Sequence, residues 1–382
     1  MIIDRLLVKT LSKAIKKYPV LFITGPRQSG KTTISKKVFN KYIYKNLEDP
    51  ETRLLAKNDP KNFLTQANRL IIDEIQRVPE LLSYIQVMTD ADNKKKFIIT
   101  GSQNILVSQK ISQSLAGRVA IFNLLPFSFK EIIDTDFEKK DIFKQLIYGF
   151  YPRVYDKLLN PIEWFPNYIQ TYLERDVREI KNIINLTDFQ RFLKLCAGRT
   201  GQILNLSSLA NDLGTAVNTI KGWLSVLEAT YIIYLVPPFY KNFNKRIIKS
   251  PKLYFYDTGL VCSLLAIKSE DQLQTHPLYG NIFETFCVSE IIKQNYNNNL
   301  HINFYYWRDK SGNEIDLLYE KGNKTIAVEI KSSSTFAQEF TKELNYLEKI
   351  TKDKINKKVI YSSREDTRYK DVLLQGWKNI EI

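Results

Sequence analysis

Gly25-Pro26-Arg27-Gln28-Ser29-Gly30-Lys31-Thr32 follows the apolar run Val20-Leu21-Phe22-Ile23, and Thr33 to Phe39 continues with a helical pattern. The spacing G-x-x-x-x-G-K-[ST] between a strand and a helix is that of a phosphate-binding loop. Glycines let the backbone curl until its N–H groups face inward at phosphate oxygens. The helix beyond offers the positive end of its dipole to the same anion. In such a loop Gly25, Pro26, Arg27, Gln28, Ser29, Gly30, Lys31, Thr32 and Thr33 wrap the nucleotide. Lys31 is expected to reach the β- and γ-phosphates, and the Thr32 hydroxyl to ligate Mg²⁺. ATP and Mg²⁺ are therefore the expected cofactors. A chance glycine turn would not bring strand, spacing and Lys-Thr pair together.

Outward from the loop, a short strand at Tyr42-Ile43-Tyr44 precedes Leu70-Ile71-Ile72-Asp73-Glu74, about 40 residues after the lysine. An apolar strand ending in Asp-Glu suits a metal-holding carboxylate followed by a general base. Asp73 is expected at the Mg²⁺ and Glu74 at the attacking water. The next strand, Lys96 to Thr100, ends at Gly101-Ser102-Gln103. Ligands gather at the carboxyl ends of parallel strands, so Ser102, then Gln103, then Thr100, are candidates to sense the γ-phosphate. Arg118, in Leu115-Ala116-Gly117-Arg118-Val119, is a candidate arginine finger for a neighbouring copy of the chain, or a surface ion pair.

These segments together resemble the prokaryotic AAA-superfamily ATPases that carry a C-terminal DUF4143 region. The likeness rests on Gly25 to Thr33, on Asp73-Glu74-Ile75-Gln76-Arg77-Val78-Pro79-Glu80, on Ile99-Thr100-Gly101-Ser102 and on Leu115 to Val119. It continues through Trp164 to Asp176 into the C-terminal half. The resemblance implies a helical lid after the ATPase core, with Arg153, Arg175 and Arg178 as nucleotide-contacting candidates. Helix-surface ion pairs are the plainer account of those arginines.

The expected fold is α/β in four parts. Residues 1–125 form an AAA-like domain on a parallel sheet, 126–184 the lid, 185–257 a winged helix, and 258–382 an α/β restriction-endonuclease-like domain. In the winged helix, Asn205 to Gly214 and Thr215 to Glu228 read as two helices joined by a tight turn. Thr215, Asn218, Thr219 and Lys221 on the leading part of the second suit a DNA groove. The basic stretch Tyr240 to Ser250 suits a phosphate backbone. Winged helices also mediate protein contacts, so both partners stay open.

In the last part, Glu314 to Tyr319 and Thr325 to Lys331 read as paired strands after a helix, Ile282 to Gln294, that carries Glu284. Asp316 followed by Glu329-Ile330-Lys331 is the D…[DE]-x-K spacing of metal-dependent nucleases. Residues two apart share a strand face, so Glu329 and Lys331 point together. Asp316, Glu329 and Glu284 are expected Mg²⁺ ligands, with Lys331 activating a water toward a phosphodiester. The same motif can persist in a domain that only binds.

The chain has 382 residues and 56 Lys+Arg against 41 Asp+Glu, a net charge of +15. That favours an anionic partner, nucleic acid above all, although nucleotide alone, an anionic membrane surface or a bias toward Lys, Asn and Ile gives the same sum. Three scattered cysteines suggest free thiols in a reducing, cytoplasmic setting. With only His276 and His301, a zinc site or a Ser-His-Asp triad is not expected. No apolar run reaches the ~18 residues of a membrane span. The expectation is an ATP-hydrolysing switch that couples nucleotide state to nucleic acid, with Mg²⁺-dependent DNA cleavage or, alternatively, as a regulatory or signalling protein without it.

Overall fold

The computed structural model of the chain describes residues 3–101, 114–173, 186–239, 250–351 and 354–382. An N-terminal helix α1 (Leu7–Lys17) leads into strand β1 (Val20–Thr24), and α2 (Lys31–Val38) follows the phosphate loop. Strands β2 (Ile43–Asn46), β3 (Arg69–Asp73), β4 (Lys96–Gly101) and β5 (Val119–Asn123) complete a five-stranded sheet of order β2-β3-β4-β1-β5. Every pairing in it is parallel. Helices cover both faces, so the central strands are apolar throughout and fully buried, as in β1. Because β4 lies between β1 and β3, the loop after β1 and the carboxylate ending β3 flank the end of β4.

The next part of the chain folds as α3 (Leu186–Ala197), β6 (Gln202–Ile203), α4 (Leu206–Leu213), α5 (Val217–Ala229), β7 (Ile233–Val236) and β8 (Lys252–Phe255). Asn205 caps α4 and left-handed Gly214 ends it. The order helix, strand, helix, helix, hairpin is that of a winged helix, with β8 between β6 and β7. The basic stretch at 240–249 lies outside the described residues, as do Ser102, Gln103, Arg175 and Arg178.

A long helix, α6 (Tyr279–Asn298), precedes strands β9 (Phe304–Arg308), β10 (Glu314–Lys321) and β11 (Lys324–Lys331). After α7 (Lys342–Thr351) come β12 (Ile355–Tyr361), β13 (Thr367–Tyr369) and β14 (Val372–Gly376). They form a mixed six-stranded sheet, β13-β14-β12-β11-β10-β9. Leu317, Val328 and Ile330 pack into the core that holds α6, while Leu318, Ala327 and Val359 pack with Leu344 and Leu347 of α7.

Beyond the first sheet, a core around Leu318, Leu344 and Val359 lies wholly in the C-terminal part, but the boundaries expected after 184 and 257 cross a second, shared one. One apolar cluster runs from Leu125 to Ile380. Phe150 stacks on Phe286 of α6 at 5.8 Å, and its backbone N–H donates to Asp257 at 2.6 Å. The region expected to be a lid is thus packed against the C-terminal half, because its aromatic faces find their partners there. The first helix is fastened to the same half, since the Thr10 hydroxyl donates to the Asn297 carbonyl at 3.1 Å. Among the described residues no helix is long and apolar enough to cross a membrane.

Candidate functional site

The phosphate loop is held in a strained curl. Gly25 has φ +148°, and a Cβ there would lie 2.1 Å from the Leu124 carbonyl oxygen. Gly30 is left-handed (φ 94°) and starts α2. The Lys31 ammonium is buried and donates to the carbonyls of Gly25 (3.0 Å) and Pro26 (2.8 Å), folded across the mouth of its own loop.

Asp73 collects three hydroxyl donors. Thr32 and Tyr44 each donate to Oδ2 at 2.7 Å, and Thr100 donates to Oδ1. Glu74 follows in a left-handed conformation (φ 59°) and accepts from the Gln76 side-chain amide. A cavity of about 510 Å³ opens beside the loop, and Arg27 to Ile34, Glu74, Arg5 and Arg153 contribute to its wall. That volume suits a nucleotide-sized ligand.

Arg5 braces the loop from behind. Its guanidinium donates to the Ser29 carbonyl (2.8 Å), the Leu125 carbonyl (2.7 Å) and Glu131 (2.9 Å), and lies over Phe127 at 4.8 Å. Glu131 also caps the helix Phe129–Ile132, whose first N–H donates to Glu290 of α6 at 2.6 Å. Hydrogen bonds thus run without a break from the loop to α6.

The second constellation lies where α6, β8, β10 and β11 meet. Asp316 stands at a bulge, where β10 has one more residue than β9 between two paired positions. The bulge turns it toward β11, and the Ile330 N–H donates to its Oδ2 at 2.9 Å. Lys331 pairs with Glu329, whose other carboxylate oxygen is buried with no partner among the described residues. Burial, and then the neighbouring Asp316, raise the Glu329 carboxyl well above its usual range. The same two causes push Glu284 up to about 7. Lys252 of β8 enters this cluster: its ammonium lies 3.0 Å from Glu284 and 3.2 Å from Asp316, and also pairs with Glu314.

Three family models match the chain: an AAA domain at residues 17–133, a domain of unknown function (DUF8612) at 139–271, and a second (DUF4143) at 279–380. An uncharacterized protein of Mycobacterium tuberculosis is 31% identical over 335 residues, which cover 85% of this chain and 73% of that one. The chain belongs to the family of AAA-domain P-loop ATPases with a DUF4143 C-terminal region. An uncharacterized protein of Methanocaldococcus jannaschii is 24% identical over 374 residues, covering 88% of this chain and 81% of its own. Among solved structures, a Walker-type ATPase of Pyrococcus abyssi matches with a TM-score of 0.47 and 16% identity, over 69% of this chain and 96% of that one.

For a member of this ATPase family, the loop fits a nucleotide. The Ser29 hydroxyl, a donor, is buried without a partner among the described residues, in the curl where phosphate oxygens would lie. The expected residues Gly25 to Thr33, Asp73 and Glu74 come together at this end of the sheet. Arg118 does not. Val119 pairs with Val20 at the start of β1, so Arg118 sits at the opposite edge, about 15 Å along the strand. There it forms a two-pronged pair with Asp90 (2.5 and 2.8 Å). The Mg²⁺ expected from the nuclease-like spacing at Asp316, Glu329 and Glu284 finds no such set of ligands in the C-terminal cluster. Glu284 and Asp316 face a lysine, and among the described residues no group of three or more His, Cys, Asp and Glu side chains is arranged to hold a metal ion.

Sequence reading passed over Arg5, Tyr44 and Lys252. Arg5 and Lys252 are two lysine-or-arginine positions among 56, and nothing local marks them. Tyr44 had a signal, since it lies on the strand next to the one carrying Asp73.

Proposed function

We propose that this chain binds and hydrolyses ATP with Mg²⁺, and that its nucleotide state is passed to a C-terminal half that engages nucleic acid. The observation that carries the reading is the Thr32–Asp73 hydrogen bond, which joins the loop to the β3 carboxylate beside a nucleotide-sized cavity. Thr32 and Asp73 would hold Mg²⁺, which when bound neutralises charge on the β- and γ-phosphates. Lys31 exchanges the Gly25 and Pro26 carbonyls for phosphate oxygens. Glu74 orients and deprotonates the attacking water, with the Gln76 amide fixing its carboxylate. Arg153 lines the cavity from the side of the C-terminal half, within reach of the ligand. Arg118 can act only on a second copy of the chain, because its own loop is at the far edge of the sheet.

Nucleic acid is favoured as the load by the net charge of +15 and by Asn218 and Lys221, which lie exposed on α5. Three buried free cysteines suit a reducing compartment such as the cytoplasm.

ATP binding and turnover by wild type, Lys31→Ala and Glu74→Gln test the enzyme. Lys31→Ala is expected to lose binding, and Glu74→Gln to bind ATP but turn over about 100-fold or more slowly. Normal turnover by Lys31→Ala would end the ATPase reading. DNA affinity measured with and without ATP tests the coupling. Arg5→Met is expected to fold and bind ATP while losing the nucleotide dependence of DNA binding. If wild type binds no DNA at low salt, a protein partner takes its place.

A further inference from the structure

Lys252 stands beside two of the carboxylates expected to hold a divalent cation, Asp316 and Glu284. Three carboxylates from two elements, Glu284 of α6 and Glu314 and Asp316 of β10, converge on its ammonium, and the side chain is only 3% exposed. Each carboxylate has a further partner, on its second oxygen in Asp316 and Glu314 and on the same Oε1 in Glu284. The Tyr254 hydroxyl donates to Glu284, the Ile330 N–H to Asp316, and Arg308 pairs with Glu314 at 3.2 Å. Carboxylates crowded together with little access to water need a positive charge among them, and the lysine supplies it from within the fold. A divalent ion sharing these carboxylates would sit within a few ångströms of the ammonium, where like charges repel strongly in surroundings poorer than water.

The lysine arrives from another part of the chain. β8 belongs to the winged-helix sheet, in which Lys252 pairs with Val236 and Ile203. Around it the winged helix is stitched to β9: the Tyr306 hydroxyl donates to the Ser250 carbonyl at 2.6 Å, and the Phe239 N–H to the Tyr306 carbonyl at 2.7 Å. The charge cluster therefore lies in a seam between two parts of the fold.

We propose that the Lys252 ammonium is the resident cation of this acidic cluster in place of a divalent metal, clasping the winged helix to the C-terminal sheet, so that the sheet takes no Mg²⁺ at Glu284 and Asp316. Without a metal there, Lys331 has no metal-bound water to activate, and its pair with Glu329 is an ion pair of the sheet. The domain keeps the strand pattern of a nuclease and works as a binding or framework module. This inference is independent of the nucleotide reading, since the two clusters share no residue.

The test uses the full chain without nucleotide, with Mn²⁺ as probe, counting bound Mn²⁺ by electron paramagnetic resonance and following the melting temperature. Wild type, Glu284→Gln and Asp316→Asn are expected to bind equal amounts of Mn²⁺, so that any metal held elsewhere is unaffected by the cluster. Lys252→Met is expected to melt lower than wild type and to be raised by Mn²⁺, and Lys252→Met/Asp316→Asn to lose that rise. Loss of a bound Mn²⁺ from wild type on Asp316→Asn would overturn the proposal. So would a Lys252→Met protein that melts like wild type and ignores Mn²⁺. Should Lys252→Met fail to fold, the Mn²⁺ count in wild type against Asp316→Asn decides alone.

Discussion

A methyl group on Gly25 meets the Leu124 carbonyl oxygen, and its φ of +148° is one that side-chain-bearing residues avoid. Gly25→Ala is expected to cost about 1–3 kcal/mol in urea denaturation. It should also remove the rise in melting temperature that Mg²⁺ and ATP give to wild type. Tyr44→Phe deletes one of the three hydroxyl donors on Asp73 and leaves the ring in place. Its expected cost is about 1 kcal/mol in the same denaturation, with weaker retention of Mg²⁺·ATP by isothermal titration. These residues show what sequence can and cannot say at this scale. Lys31, Thr32 and Asp73 announce themselves because their chemistry depends on short-range spacing next to a strand. Arg5 works only because the fold carries Ser29, Leu125 and Glu131 to it. Lys252 likewise gains its meaning from Glu284, Glu314 and Asp316, which lie 32 to 64 positions further along the chain.

Among the elements, α6 carries the most consequence. It is buried on nearly every side, polar residues included: Glu290, Lys293, Gln294, Asn295 and Asn297 all lie inside. A helix enclosed in this way has little amphipathic rhythm, so the sequence marked its middle, Ile282 to Gln294, and missed both ends. The strands β5, β13 and β14 were also missed. β13 has three residues, with Thr367 and Arg368 facing solvent, so no apolar run marks it, whereas β5 and β14 do carry apolar runs, Val119 to Phe122 and Val372 to Leu374, without a motif beside them. Burial pushes the Glu290 carboxyl up to about 7, although Lys293 beside it pulls the other way. In the unfolded chain it titrates near 4.5. Between those values the folded chain holds a proton that the unfolded chain has released, so stability falls as pH rises through that window. The slope for one such group is up to about 1.4 kcal/mol per pH unit. Denaturation midpoints measured from pH 4.5 to 7 should therefore decline, and Glu290→Gln should flatten the decline.

For the molecule as a whole, the excess of 15 positive charges predicts that the proposed binding to DNA is electrostatic in large part. Affinity measured by fluorescence anisotropy should fall steeply with salt, on the order of tenfold or more between about 50 and 200 mM for even a few phosphate contacts. A flat response would remove nucleic acid as the partner. The parallel sheet of the first part was legible from its motifs, since an apolar strand before the loop and another ending in Asp-Glu fix most of that topology. The shared cluster running from Leu125 to Ile380 was not. It is built from aromatic residues far apart in sequence, such as Phe150 and Phe286, whose pairing no local pattern encodes.

The contact between Thr10 and Asn297 also bears on how the chain is made. The two residues are 287 positions apart, so α1 emerges from the ribosome long before the helix that finishes its surroundings. The first sheet can close on the nascent chain with Leu7 and Leu11 of α1 packed on it, whereas the Thr10 side of that helix waits for most of synthesis to be complete. During that interval the Thr10 side of α1 faces water rather than α6.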